Sequence, residues 1–319
     1  MIKTFRSVVF IFILIFICLS SAHAFWIWTP GTNKWVNPKY AVKETPGEQL
    51  KFASSFFEGE DYKKALKEFR RLIKHYPRSR EAAEAQFFIG EIHLNRVQYY
   101  KAFKNYQDVI DKYPFSERAT AIIQKQYDIG VALLDGKGPL KGRSSEGFTD
   151  GEYDVVSVFQ SVIKNAPYGE LAAPSQYKIG LFLFEKKLYL EARDAFEKVL
   201  NDYPDSEWTK AAKYQIALAD AKRSSKVQYD QRITKAAVEE FEDLLKEHPD
   251  VDLSDTAKIQ IQKLRNKEAE NNFVIAKFYE KQKNFVAAKI YYKIVVDEYR
   301  NSLWAKKALL KIREMSEKK

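Results

Sequence analysis

The side chains that could perform chemistry are few and scattered. Beyond the first 24 residues the histidines are His75, His93 and His248, which match no His-Glu-x-x-His spacing and have no cysteine partner. That pattern sets up no metal centre. His75 and His248 stand beside Tyr76-Pro77 and Pro249, at predicted helix ends where a cation complements the carboxyl end of the helix dipole. His93 falls on a predicted helix face and needs no ligand. Glu58, Glu60 and Asp61 could offer paired carboxylates for acid and base work, but they crowd into a predicted turn and are expected to be solvated. The glycine-rich run at 135–151, DGKGPLKGRSSEGFTDG, lacks the Gly-Lys-Ser/Thr ending of a phosphate loop. There is no Gly-x-Ser-x-Gly elbow and no dinucleotide turn. The sequence therefore predicts no enzyme, no cofactor and no metal. A lytic or carbohydrate-processing enzyme fused to this chain would need paired acids buried in a cleft.

The compartment is read from the beginning of the chain. Lys3 and Arg6 precede an apolar core at 8–19, and Ala22-His23-Ala24 gives a small-x-small cleavage pattern. We read residues 1–24 as a cleaved signal peptide, its core too short for a stable span. The lone cysteine, Cys18, lies inside that core behind Phe16 and Ile17, where bacterial lipoprotein signals carry a small residue, so a lipid anchor is not expected. Location in the periplasm, or on the periplasmic face of the outer membrane, follows. The formal net charge is +10 over 319 residues, 45% of them hydrophobic and 30% charged. Because Lys and Arg are interspersed with Asp and Glu, the basic residues read as solvated helix faces, not as a nucleic-acid surface.

Residues 25–47 form a Trp-rich extended segment. Trp26, Trp28 and Trp35 crowd among Pro30, Gly31, Asn37 and Pro38, a composition for turning strips and not for helices. Two readings stay open here. The rings pack on the first helical pair as a cap, or they form an exposed docking strip for a partner or the membrane interface.

Helical periodicity then takes over. At 82–116, Ala82, Ala85, Phe88, Ile89 and Ile92 recur at three- and four-residue intervals. After a break, Tyr99, Ala102, Phe103, Tyr106, Val109 and Ile110 repeat the pattern until Tyr113-Pro114 stops it. The unit is a helical hairpin with small residues, Gly90 and Ala102, in its two helices. A Gln-apolar-x-apolar-small run marks the first helix of successive units at Gln49, Gln86, Gln126, Gln176 and Gln215. Each second helix carries Ala or Val and then an aromatic, as in Ala192 with Phe196. Ser79, Ser116 and Ser206 follow the closing prolines and are placed to cap the next helix. This is the tetratricopeptide (TPR) pattern, with a period of roughly 34 residues. It predicts an all-α superhelical solenoid at 48–302 of about six helical hairpins, with insertions at 135–151 and 224–231 and a capping helix at 303–319. In the diverged sixth pair the first helix is extended backward through 255–272.

The concave wall of such a solenoid is lined by the first helix of each repeat. The residues after each glutamine, with those one turn on, give a candidate partner-binding groove of Leu50, Phe87, Glu91, Tyr127, Tyr177 and Leu181. The same rings could instead fill the interior between repeats, and both readings stand at this stage.

The pattern A-x-x-A-Q-apolar-x-apolar-G, an Ala-and-aromatic second helix and a Tyr-Pro-x-Ser close resembles the BamD-like outer-membrane assembly lipoproteins. It is more loosely similar to the periplasmic coordinator of the Tol-Pal system. The similarity runs over 48–302 and is strongest in the first, second and fourth pairs. The resemblance implies a non-catalytic periplasmic scaffold for outer-membrane β-barrel assembly. Its implied partners are envelope proteins, including a BamA-like insertase and unfolded β-barrel substrates, with contact to the outer membrane surface. The alternative is an adaptor of the Tol-Pal, cell-division or peptidoglycan machinery. This chain departs from the family in lacking a cysteine suited to lipidation.

Overall fold

A computed structural model describes residues 26–29, 34–36, 41–137, 151–224, 231–249 and 254–317. The expected signal peptide and most of both insertions lie outside them. The chain divides into two compact units, 1–92 and 93–319.

In the first unit, β1 (Ile27–Thr29) and β2 (Lys34–Val36) form an antiparallel ribbon with Trp28 opposite Trp35. Three helices follow: α1 (Pro46–Glu58), α2 (Tyr62–His75) and α3 (Arg80–Asn95), the last crossing the boundary between the units. Local chemistry sets the helix ends. The Thr45 and Asp61 side chains accept from the amides of Glu48 and Lys64, and Pro46 occupies the first turn of α1, where its missing N–H costs nothing. The buried faces of α1 and α2 meet through Ala53, Ala65, Phe69 and Leu72. Phe88 of α3 stacks on Phe69 with 5.4 Å between centroids. Trp26, Trp28 and Trp35 do not cap this core, since they are 56, 42 and 61% exposed. The capping expectation is corrected accordingly.

The second unit continues with α4 (Tyr99–Lys112), α5 (Ala119–Leu134), α6 (Gly151–Asn165), α7 (Ala172–Glu185), α8 (Tyr189–Asp202), α9 (Trp208–Ser224), α10 (Gln231–Glu247), α11 (Ser254–Lys281), α12 (Phe285–Glu298) and α13 (Leu303–Glu317). Each helix packs on the next in sequence, and α7 on α9, α9 on α11 and α11 on α13 also touch. Such nearest-neighbour packing defines a solenoid, in which a hairpin buries its apolar face only by stacking. The fold is an all-α TPR solenoid.

Three recurring devices hold the repeats. The first is close approach between the paired helices. A methyl group on Gly130 would stand 2.7 Å from the Phe159 ring, and one on Gly180 would stand 2.4 Å from Phe196. Both rings are fully buried, so these glycines exist to admit an aromatic. In an ordinary helix Gly→Ala stabilises by about 0.5–1 kcal/mol. Here we expect the opposite sign for Gly180→Ala, a loss of about 1–3 kcal/mol in denaturant melts through overpacking. Phe196→Leu in the same chain should recover part of that loss, which a double-mutant cycle would measure.

The second device is the glutamine used above as a register mark. Gln49 Nε2 donates to the Glu68 carbonyl at 3.3 Å while its Oε1 accepts from the Lys43 amide at 3.0 Å. Gln176 Nε2 donates to the Ala195 carbonyl at 2.9 Å, and Gln126 joins Gln107 and Asn165 at 2.9 and 3.0 Å. These buried amides tie helix to helix through satisfied hydrogen bonds.

The third is turn geometry. Between the helices of four pairs one residue takes a left-handed backbone: Glu60, Val97, Lys187 and Lys283, with φ between 57° and 63°. In each case an aromatic, Tyr62, Tyr99, Tyr189 or Phe285, opens the next helix two residues later. Between pairs, the amides of Tyr76, Tyr113, Tyr203 and Tyr299 donate to the preceding helical turn. Ser79, Ser116, Ser206 and Ser302 then cap the following helix at 3.1–3.3 Å. Ser302 does so even though Arg300 replaces the proline, so the turn depends more on tyrosine and serine than on proline.

Candidate protein-docking surfaces

Two of the residues with reactive side chains hold local structure. His93 Nδ1 lies 2.7 Å from Gln98 Oε1 across the turn between α3 and α4. Asp61 caps α2 and pairs with Lys64 at 2.7 Å. Among the described residues no group of His, Cys, Asp and Glu is arranged to hold a metal ion, and no helix is long and apolar enough to cross a membrane.

The most concentrated electrostatics lie between α8, α9 and α10. Asp220, only 4% exposed, accepts from Arg193 Nε at 3.0 Å and from Arg223 Nη1 at 2.7 Å. Arg193 also reaches Glu197 at 2.6 Å and Glu240 at 3.4 Å. Burial pushes the Glu240 carboxyl up, Asp220 adds to the push and Arg193 opposes it. One turn further along α9, Lys267 of α11 donates to the Ser224 carbonyl, and burial lowers its ammonium. The buried Glu268 carboxyl is pushed up by burial, and the Tyr299 hydroxyl beside it, also buried, is pushed up to about 12. These groups tie successive helices together.

The expected groove divides between core and partial exposure. In the first unit Phe87 is 6% exposed, with Phe88 edge-on beside it at 5.8 Å, while Leu50 and Glu91 are half-buried. In the second unit Tyr177 is 8% exposed, wedged between Phe196 and Trp208 at 5.4 and 5.0 Å. Tyr127 and Leu181 are half-buried, the former against Phe159 at 5.8 Å. Burial raises the hydroxyl pKa of both tyrosines. Phe87 and Tyr177 are therefore core residues with little surface for a partner. Of the six, Leu50, Glu91, Tyr127 and Leu181 keep accessible surface.

The larger apolar surface lies where sequence reasoning did not look. On α12, Ala288, Tyr292 and Val295 face the core, while Phe285, Val286 and Ile290 are 55, 76 and 57% exposed. Leu309 and Leu310 of α13 are exposed as well. Val286, Ile290 and Ile312 line a surface groove of about 580 Å³, flanked by Lys289 and Lys293. The signal was present in the sequence. FVAAKIYYKIVV is apolar on nearly every side, more than one buried face requires. Clustered exposed apolar residues rimmed by charge are characteristic of interaction surfaces.

Comparisons with known families find the same repeats. Tetratricopeptide repeat models match residues 50–117 and 175–206, and the YfiO model, an outer membrane lipoprotein family, matches 216–318. That last match covers less than half of the chain and falls on its C-terminal repeats, not on the first, second and fourth pairs where the resemblance reads most strongly. No curated protein matches. Solved structures similar to this chain include the C-terminal part of a TPR repeat-containing protein from Cytophaga hutchinsonii, at 18% identity, TM-score 0.35, and coverage of 85% of this chain and 89% of that one. A tetratricopeptide repeat protein from Parabacteroides merdae is similar at 12% identity, TM-score 0.35, over 85 and 98%. PilF of Pseudomonas aeruginosa is similar at 12% identity, TM-score 0.31, over 83 and 97%. Paired helices, glutamine clasps, glycine–aromatic contacts and serine caps recur at the repeat interval, and the chain has a tetratricopeptide-type solenoid fold with repeat-model matches at 50–117 and 175–206.

Proposed function

We propose that this protein is a non-catalytic scaffold of the periplasm or the periplasmic face of the outer membrane, binding proteins of β-barrel assembly. One observation carries the reading. The stretch matched by the outer membrane lipoprotein family, 216–318, also holds the exposed apolar groove on α12 and α13. A groove with an apolar floor and a lysine rim fits a partner segment that presents apolar side chains beside carboxylates. By this reading the groove takes the periplasmic part of a BamA-like insertase. Leu50, Glu91, Tyr127 and Leu181 then offer secondary contacts to extended β-barrel substrates. The signal-like residues 1–24 support export.

The experiment is a pull-down from detergent-solubilised membranes with the full chain as bait. Recovery of a barrel-assembly insertase supports the reading. Recovery of Tol-Pal components or muropeptide-linked material in its place would favour the adaptor alternative, which rests on the looser resemblance alone.

A further inference from the structure

The ribbon in the first unit is left over by the scaffold reading. Trp28 and Trp35 stand directly opposite each other, with ring centroids 5.7 Å apart. Directly opposed residues share a face, so Trp28 and Trp35 lie on one side of the ribbon. Trp26 stands immediately before β1, and all three indoles are about half exposed. Ile27 is exposed too, at 51%, and alternation places it on the opposite face. A two-stranded ribbon with uncovered apolar groups is marginal in water by itself.

Charge identifies what covers it. From residue 1 to residue 43 the sequence contains no Asp or Glu, and the segment 25–43 carries Lys34, Lys39 and Lys43. From residue 44 onward basic and acidic residues are interspersed. An acid-free stretch that combines indoles with lysines suits an interface whose headgroups are negative and whose interior is apolar. Indoles prefer that boundary because the ring is apolar and its N–H still requires a polar partner. Lysine near such a surface adds attraction to anionic lipid. Beyond the ribbon, residues 43 and 44 are held to the body of the unit. The Tyr76 hydroxyl donates to the carbonyls of Lys43 and Glu44 at 2.7 and 3.0 Å, and the Lys43 ammonium sits 4.7 Å from the Phe52 ring centroid.

We infer that the Trp28 and Trp35 face of this ribbon, with Trp26 beside it, seats in the headgroup region of an anionic phospholipid surface. Protein docking at α12 and α13 does not depend on it.

The test uses the chain from residue 25, after the expected cleavage, and a variant of it carrying Trp26→Ser, Trp28→Ser and Trp35→Ser, so that the apolar residues 1–24 do not bind the vesicles in either. Vesicles of phosphatidylcholine, with and without phosphatidylglycerol, are titrated, and quenching of indole emission by brominated acyl chains is recorded. The two other tryptophans, Trp208 and Trp304, pack against Tyr177 and Phe273 and give a constant background. The wild type is expected to bind the anionic vesicles at least about tenfold more tightly than the variant, with ribbon emission quenched by the lipid bromines. Binding should weaken on neutral vesicles and with added salt. Equal binding by the two proteins, equal binding to neutral and anionic vesicles, or emission that lipid bromines do not quench would each overturn the inference. Circular dichroism shows whether the variant stays folded, and its unchanged capture of a protein partner would separate this outcome from that of the pull-down.

Discussion

Phe196→Ala is expected to lower the stability of the second unit by about 3–5 kcal/mol, the largest loss we predict for any single core side chain. The ring is completely buried, presses on the bare backbone of Gly180 and lies 5.4 Å from the Tyr177 ring. Ala192, Val199, Ala212 and Ile216 complete the cluster around it. Removing it leaves a cavity walled by two helix backbones that cannot collapse, because Gln176 holds them together through the Ala195 carbonyl. In a solenoid each hairpin is supported only by its neighbours, so the loss should propagate as a broadened transition. Urea melts followed at 222 nm would read both effects. A loss below about 1 kcal/mol would show that the ring is not wedged between the helices as described.

The second large effect concerns binding. A chain carrying both Val286→Asp and Ile290→Asp is expected to lose at least about 100-fold in affinity for its protein partner, since two carboxylates would replace the apolar floor, compete for the lysine rim and repel the partner's own carboxylates. Its helicity and melting midpoint should remain near wild type, because both side chains are more than half exposed and the core of α12 is formed by Ala288, Tyr292 and Val295. Isothermal titration against the recovered partner would measure it, with denaturation curves alongside. Phe87→Ala offers the contrast. That side chain is buried, so its removal should cost stability first and binding only as a consequence.

Much of this molecule was legible from residue order. The three- and four-residue spacing of apolar positions located the helical pairs, and Tyr-Pro-x-Ser located the ends, because helix periodicity and capping are local properties. The backward extension of the sixth pair appears as α11, 28 residues long. What could not be read was which polar residue is clasped and which apolar one is bare. The recurring glutamine marked the register, yet its hydrogen bonds reach a helix 19 residues away, a tertiary fact. For the same reason Phe87 and Tyr177, one position after it, turned out to face the core. The left-handed residues Glu60, Val97, Lys187 and Lys283 carry no glycine to announce them. The outward face of α12 was not singled out, because the periodicity marks only which positions recur and not which of the extra apolar ones stay bare. That face lies beside α13, which itself exposes Leu309 and Leu310.

The central claim is that the C-terminal repeats present an apolar face that holds another envelope protein. Its most direct measurement is site-specific photo-crosslinking in cells, with a photoreactive amino acid at position 290 and a matched control at Asp194, on the polar side of α8. The account predicts one dominant adduct from position 290, identified by mass spectrometry as a component of β-barrel assembly, and none from position 194. No adduct from position 290, or the same adducts from both positions, would contradict it.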